Sequence, residues 1–114
     1  MVYKVIPAAP VARDLELIED YLSQAYQGFG EDAERATSGA ALRITEALDY
    51  MDSFANHPYR GTEHPKIRSG VRSVTHNRFV YYFEIDEPSS EVIILAVFFG
   101  GIDHKRRLLD RLKH

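Results

Sequence analysis

The chain has 114 residues, 45% hydrophobic and 27% charged, and no cysteine, a composition that suits one globular domain and argues against wholesale disorder. The missing cysteines remove disulfides, thiolate metal sites and thiol nucleophiles, and they favour a reducing cytoplasm. No apolar run approaches the roughly 20 residues that span a bilayer, and the opening Met1-Val2-Tyr3-Lys4-Val5-Ile6-Pro7 has no basic stretch leading a long apolar one, so neither membrane insertion nor secretion is expected.

Tyr3 to Ile6 is a short β-prone run ended by Pro7, which predicts a first strand. Pro10 suits the first turn of a helix. From there Val11, Leu15, Ile18, Leu22 and Ala25 recur at helical spacing, with Asp14, Glu16, Glu19 and Asp20 around them. The acids lie where the helix macrodipole favours negative charge. Gly28-Phe29-Gly30 stops this helix. A second starts near Glu31 or Asp32 and carries Ala33, Ala36, Ala40, Ile44, Ala47, Leu48, Met51 and Phe54. Its small residues would let a neighbouring helix approach closely. Asn56-His57-Pro58 ends it, completing an αα-hairpin.

Residues 57–70, with two prolines and two glycines, read as a long loop. Val71 to Thr75, Phe79 to Ile85 and Glu91 to Phe99 read as three strands joined by hairpin-length linkers. The last is apolar on both faces from Val92 to Phe99, so it must be covered on both sides, by the domain itself or by something else. Gly100-Gly101 breaks it, and Asp103 is expected to cap a short basic helix with Leu108, Leu109 and Leu112 on one face. The expected fold is a single α+β domain over residues 1–114, β-α-α-β-β-β, with an antiparallel meander packed on a helical hairpin and a short C-terminal helix.

Charge follows this division. The net −3 breaks into −6 over residues 1–56, +4 over 57–78, −4 over 79–98 and +3 over 99–114. Such blocks suggest two faces for two kinds of partner, and they also describe ordinary solvated faces.

Familiar catalytic patterns are missing. Gly28-Phe29-Gly30-Glu31-Asp32-Ala33 matches a dinucleotide fingerprint, but it follows a helix and puts two carboxylates where a pyrophosphate would sit. It reads as a turn. His57, His64, His76, His104 and His114 show no metal-ligand spacing, so no metal or other cofactor is expected. There is no nucleophile elbow and no carboxylate pair set on an apolar helix face. Lys105-Arg106-Arg107 could meet phosphates or simply favour the helix C-terminus. Tyr81-Tyr82-Phe83 could stack bases, although strand alternation sends Tyr81 and Tyr82 to opposite faces.

The order of these elements, together with their residues, resembles the ParE/RelE superfamily of toxins from bacterial type II toxin–antitoxin systems over nearly the whole chain. The carrying residues are Tyr3-Lys4-Val5 and Pro7, Ala9 and Ala12 ahead of Asp14-Leu15 and Ile18, and Tyr21-Leu22. Ala33 and Ala36, Leu48 to Pro58 with Gly61, and Gly70-Val71-Arg72-Ser73 follow. Arg78-Phe79-Val80-Tyr81-Tyr82 and Val97-Phe98-Phe99-Gly100 close the pattern.

The resemblance implies one of two activities on one fold. RelE-like members cut messenger RNA on the ribosome with arginines and a late tyrosine. Arg78 matches the sheet arginine, but Ile102 and Leu108 stand at or near the other two positions. Other nuclease branches use a histidine, which leaves Arg78, His76 and His104 as the catalytic set of that alternative. ParE-like members are not nucleases and instead poison DNA gyrase, and the acidic helical half fits them better than a ribosome-bound RNA reader. The ParE-like expectation has a cognate antitoxin, of ribbon-helix-helix type, contacting Leu15, Leu22, Ile44, Ile93 and Leu95. Lys105, Arg106, Arg107 and Arg111 would meet gyrase, and no sequence-specific nucleic-acid binding by the toxin alone is expected. A third reading is an inactive relative kept for antitoxin binding.

Overall fold

The computed structural model describes residues 2–100 and 104–113. The chain runs β1 (Lys4–Pro7), α1 (Val11–Gly28), α2 (Ala33–Asp52), a 3-10 turn at Ser53–Ala55, β2 (Thr62–Glu63), β3 (Arg72–His76), β4 (Phe79–Asp86), β5 (Glu91–Phe99) and α3 (His104–Leu112). The strands form one sheet in the order β1-β5-β4-β3-β2. Strands β2 to β5 pair antiparallel, and β1 lies parallel to β5, with Val5 opposite Val92. Among the described residues no helix is long and apolar enough to cross a membrane.

The helical hairpin follows the apolar spacing. Val11, Leu15, Ile18 and Leu22 are buried along α1, and Ala36, Ala40, Ala47 and Met51 along α2. The side chain of Asp32 caps α2 by accepting from the Arg35 amide at 2.8 Å, satisfying one of the free N–H groups of the first turn. The hairpin packs on one face of the sheet. Its core joins these residues to Phe54 of the 3-10 turn, Phe79, Tyr81 and Phe83 of β4, and Val92, Ile94 and Val97 of β5.

Two features of the sheet differ from the sequence reading. The segment expected to be only a loop contributes β2, whose Thr62 and Glu63 pair with Ser73 and Arg72. Gly61 makes this possible, because its φ is +80° and a Cβ there would lie 2.1 Å from the Ser73 carbonyl oxygen. Only glycine fits. The second feature is a bulge in β5. Tyr82 pairs with Ala96 but Phe83 pairs with Ile94, leaving Leu95 as an extra residue. An inserted residue reverses the alternation beyond it. Accordingly Val92, Ile94 and Val97 face the helical hairpin, while Leu95, Ala96 and Phe98 face the other way.

That second face is covered from within the chain. Leu108 of α3 is fully buried there with Val71, Val80, Tyr82, Leu95, Ala96 and Phe98, and Ile67 and Leu112 pack against them. The apolar strand that had to be covered on both sides is therefore closed on this side, at Ile93, Leu95, Ala96 and Phe98, by α3 and the segment before β3. Leu109, expected on the same apolar stripe, stays 39% exposed. The expected cap at Asp103 lies outside the described residues.

Candidate functional site

A groove of about 550 Å3 runs between α1, the end of β5 and α3. Leu17, Tyr21, Phe99, Arg78, Arg107 and the pair Asp14–Arg111 line it. Leu17 and Tyr21 are 51% and 59% exposed, at the edge of the α1 buried stripe beside Asp14 and Ile18. Tyr21 meets the Phe99 ring at 6.1 Å between centroids. Exposed aromatic and aliphatic surface edged by cations is the usual composition of a contact site for another macromolecule.

The groove is braced by an ion pair. Arg111 donates to Asp14 twice, Nη1 to Oδ2 at 2.8 Å and Nη2 to Oδ1 at 2.7 Å. The Val97 amide also donates to Asp14 Oδ2, at 3.0 Å, and Arg111 reaches the Leu95 carbonyl at 3.2 Å. The paired carboxylate raises the pKa of the Arg111 guanidinium. These bonds tie α1, β5 and α3 to one point. Asp14 is 7% exposed, and such a carboxylate needs a full set of partners. Sequence reasoning placed Asp14 with the dipole-facing acids. The signal that it was different was its position between Val11 and Ile18, inside the apolar stripe.

Arg78 reaches the groove from a strained turn. It follows Asn77 in the two-residue loop joining β3 to β4, and both have positive φ, 53° at Asn77 and 70° at Arg78. A loop of this shape favours Asn-Gly, so an arginine in the second position carries a steric cost that glycine would not. The loop is held by the Gly100 amide on the Arg78 carbonyl, 3.0 Å, and by Arg43 Nη2 on the Asn77 carbonyl, 2.8 Å. The Arg78 guanidinium lies 5.0 Å from the Phe99 ring centroid, and Arg43 lies 5.5 Å from the same centroid. Phe99 thus contacts two cations.

The other sequence-picked residues are dispersed. His76 stacks flat on Tyr50 of α2, 3.9 Å between centroids, on the hairpin side. His104 stacks on Phe98, 5.2 Å, on the α3 side. The sheet lies between them, so Arg78, His76 and His104 do not converge. Lys105, Arg106 and Arg107 are exposed on α3, whereas Arg111 is engaged by Asp14. Leu15 and Leu22 are 8% and 3% exposed and belong to the internal core, and Ile44 packs against it. Leu95 is 7% exposed and Ile93 half-buried, both on the α3 side. Missed altogether were Leu17 and the contact role of Phe99. Among the described residues no three His, Asp or Glu side chains gather as a metal-binding group.

No family model matches the chain, and no curated protein matches it by sequence. Solved structures do. The chromosomal ParDE toxin–antitoxin system from P. aeruginosa superposes with a TM-score of 0.68 at 17% identity, covering 88% of this chain and 98% of that one. The toxin–antitoxin complex RelBE2 from Mycobacterium tuberculosis gives 0.59 at 14% identity, covering 87% and 99%. In both pairs the agreement spans nearly the whole of each chain, and this protein shares the fold of these two toxin–antitoxin structures.

Proposed function

We propose that this chain is the toxin of a type II toxin–antitoxin pair, ParE-like, neutralised by a cognate antitoxin and acting on DNA gyrase when free. The carrying observation is the dispersal of the nuclease candidates on a toxin fold. Cleavage of RNA needs a base for the 2′-hydroxyl, a cation for the phosphate and an acid for the leaving oxygen within reach of one phosphodiester. His76 and His104 are each stacked on an aromatic ring on opposite sides of the sheet, which favours a protein that works by binding.

The groove supports the antitoxin half of the reading. Leu17, Tyr21 and Phe99 offer apolar anchors and Arg78 and Arg107 offer cations, a combination that suits an amphipathic acidic segment. Of the residues first assigned to this contact, Leu15 and Leu22 support it from beneath, and the open positions Leu17 and Tyr21 would make it. Lys105, Arg106 and Arg107, exposed on α3, are the proposed gyrase-facing cations. Arg111 holds the helix that carries them.

The test is supercoiling of relaxed plasmid by gyrase, with and without the purified chain. Inhibition with trapped double-strand breaks is expected, and added antitoxin should reverse it. Unimpaired supercoiling together with cleavage of ribosome-bound message would transfer the function to the RelE-like alternative. Normal growth on expression without antitoxin would favour the inactive relative.

A further inference from the structure

One polar atom in the helix-side core is left over. Tyr81 is fully buried, its ring packed against Tyr50, Phe54 and Phe79, yet its Oη has no hydrogen-bond partner among the described residues. Buried hydroxyls without a partner are rare because burial removes the water they would otherwise bond. Burial also pushes the Tyr81 phenol above its ordinary pKa, so it remains a donor. Tyr81 borders a cavity of about 10 Å3 whose polar lining comes from Arg43, Glu46, His76 and Asn77. A space of that size is about one water probe, and a buried water needs two to four polar neighbours. No organic ligand fits there.

We infer that this cavity is a binding site for a single ordered water, which accepts from Tyr81 Oη and bridges α2 to the β3–β4 turn. The lining supplies the rest of its bonds: the Glu46 carboxylate and an imidazole nitrogen of His76 are acceptors, and the Arg43 guanidinium is a donor. The site has a mechanical consequence. The turn it braces is the strained one that presents Arg78, and the direct bond from Arg43 to the Asn77 carbonyl is its only other tie to α2 among the described hydrogen bonds. This inference does not depend on the toxin reading.

The sign of one substitution tests it. Tyr81→Phe removes the hydroxyl and keeps the ring, so the core stays filled. If the hydroxyl had no water, its removal would relieve an unmet polar group and the melting temperature would hold or rise. With the water in place, Tyr81→Phe should lower the melting temperature by about 4–8 °C, the shift that loss of one net hydrogen bond gives in a domain near this size. Independently of any variant, NMR of the unaltered protein should show magnetisation transfer from a long-lived water to protons lining the cavity. A melting temperature at or above the parent's, or no long-lived water signal in the parent, overturns the site.

Discussion

The two faces of the sheet are covered by very different means. On one side two helices of 18 and 20 residues lay continuous apolar stripes over Phe79, Tyr81 and Phe83, and Phe54 closes the end. On the other a single nine-residue helix covers the bulged strand with Leu108 and Leu112, and a partly buried ion pair pins it. The first cover is spread over many apolar contacts along two helices, and the second rests on Leu108, Leu112 and one charge pair. The smaller face carries the proposed gyrase-facing cations, and its fastening point, Asp14–Arg111, also lines the groove. Stability and contact surface are therefore separate on the hairpin side and joined on the α3 side.

Truncation in the larger core should give the biggest loss. Phe54→Ala is expected to cost about 3–5 kcal/mol, read as a shift in the urea midpoint, and to loosen both helices together. Leu108→Ala should cost less and should first release α3, seen as faster amide exchange in residues 104–113 with the hairpin still protected. Simultaneous loss of both regions in Leu108→Ala would erase the distinction.

Next comes the ion pair. Arg111→Ala leaves the Asp14 carboxylate with the Val97 amide alone among the described residues, and should cost about 2–3 kcal/mol, less than a fully buried pair because Arg111 is partly exposed. Adding Asp14→Asn should recover part of it. A double mutant no more stable than Arg111→Ala, measured in the same denaturant series, would place the cost elsewhere.

Arg78→Gly reverses the usual trade between stability and function. Glycine accepts φ +70° and relieves about 1–2 kcal/mol of left-handed strain, offset by a lost cation–π contact of about 0.5–1 kcal/mol. Stability should therefore hold or rise by up to about 1.5 kcal/mol, while affinity for the proposed antitoxin, measured by calorimetry, should fall. Unaltered affinity would mean that Arg78 is not part of the groove's contact.

The smallest effect concerns pH. His64 Nε2 lies 2.6 Å from Ser73 Oγ, and desolvation, with help from Lys105, depresses the imidazole pKa below its ordinary value. The unfolded chain then binds the extra proton more readily. The contribution is fully present above the unfolded value near 6.5 and is lost as pH falls through the lower folded value. His64→Gln should flatten the stability–pH curve slightly between pH 7 and 5. An unchanged slope would remove His64 from it.

Much of the hairpin side was legible because its signals are local. The spacing of Val11, Leu15, Ile18 and Leu22, the small residues of α2 and the turn at Gly28-Phe29-Gly30 each report on residues a few positions apart. The start of α2 near Asp32 came from the same local signals, whereas the capping bond of its side chain is seen only in the structure. By contrast β2 is two residues long and depends on Gly61 approaching Ser73, which no periodicity records. The bulge at Leu95 was hidden because a strand apolar at every position looks the same in either alternation.

The sequence by itself determined the order of the longer elements, the buried stripes of both helices and the family resemblance, since helix and strand periods are properties of neighbouring residues. Only the tertiary structure decided that Asp14 and Arg111, 97 positions apart, would meet, that α3 would close the second face, and that His76 and His104 would be separated by the sheet. Those outcomes rest on which faces come together, and a charge or an aromatic ring carries no mark of its distant partner along the chain.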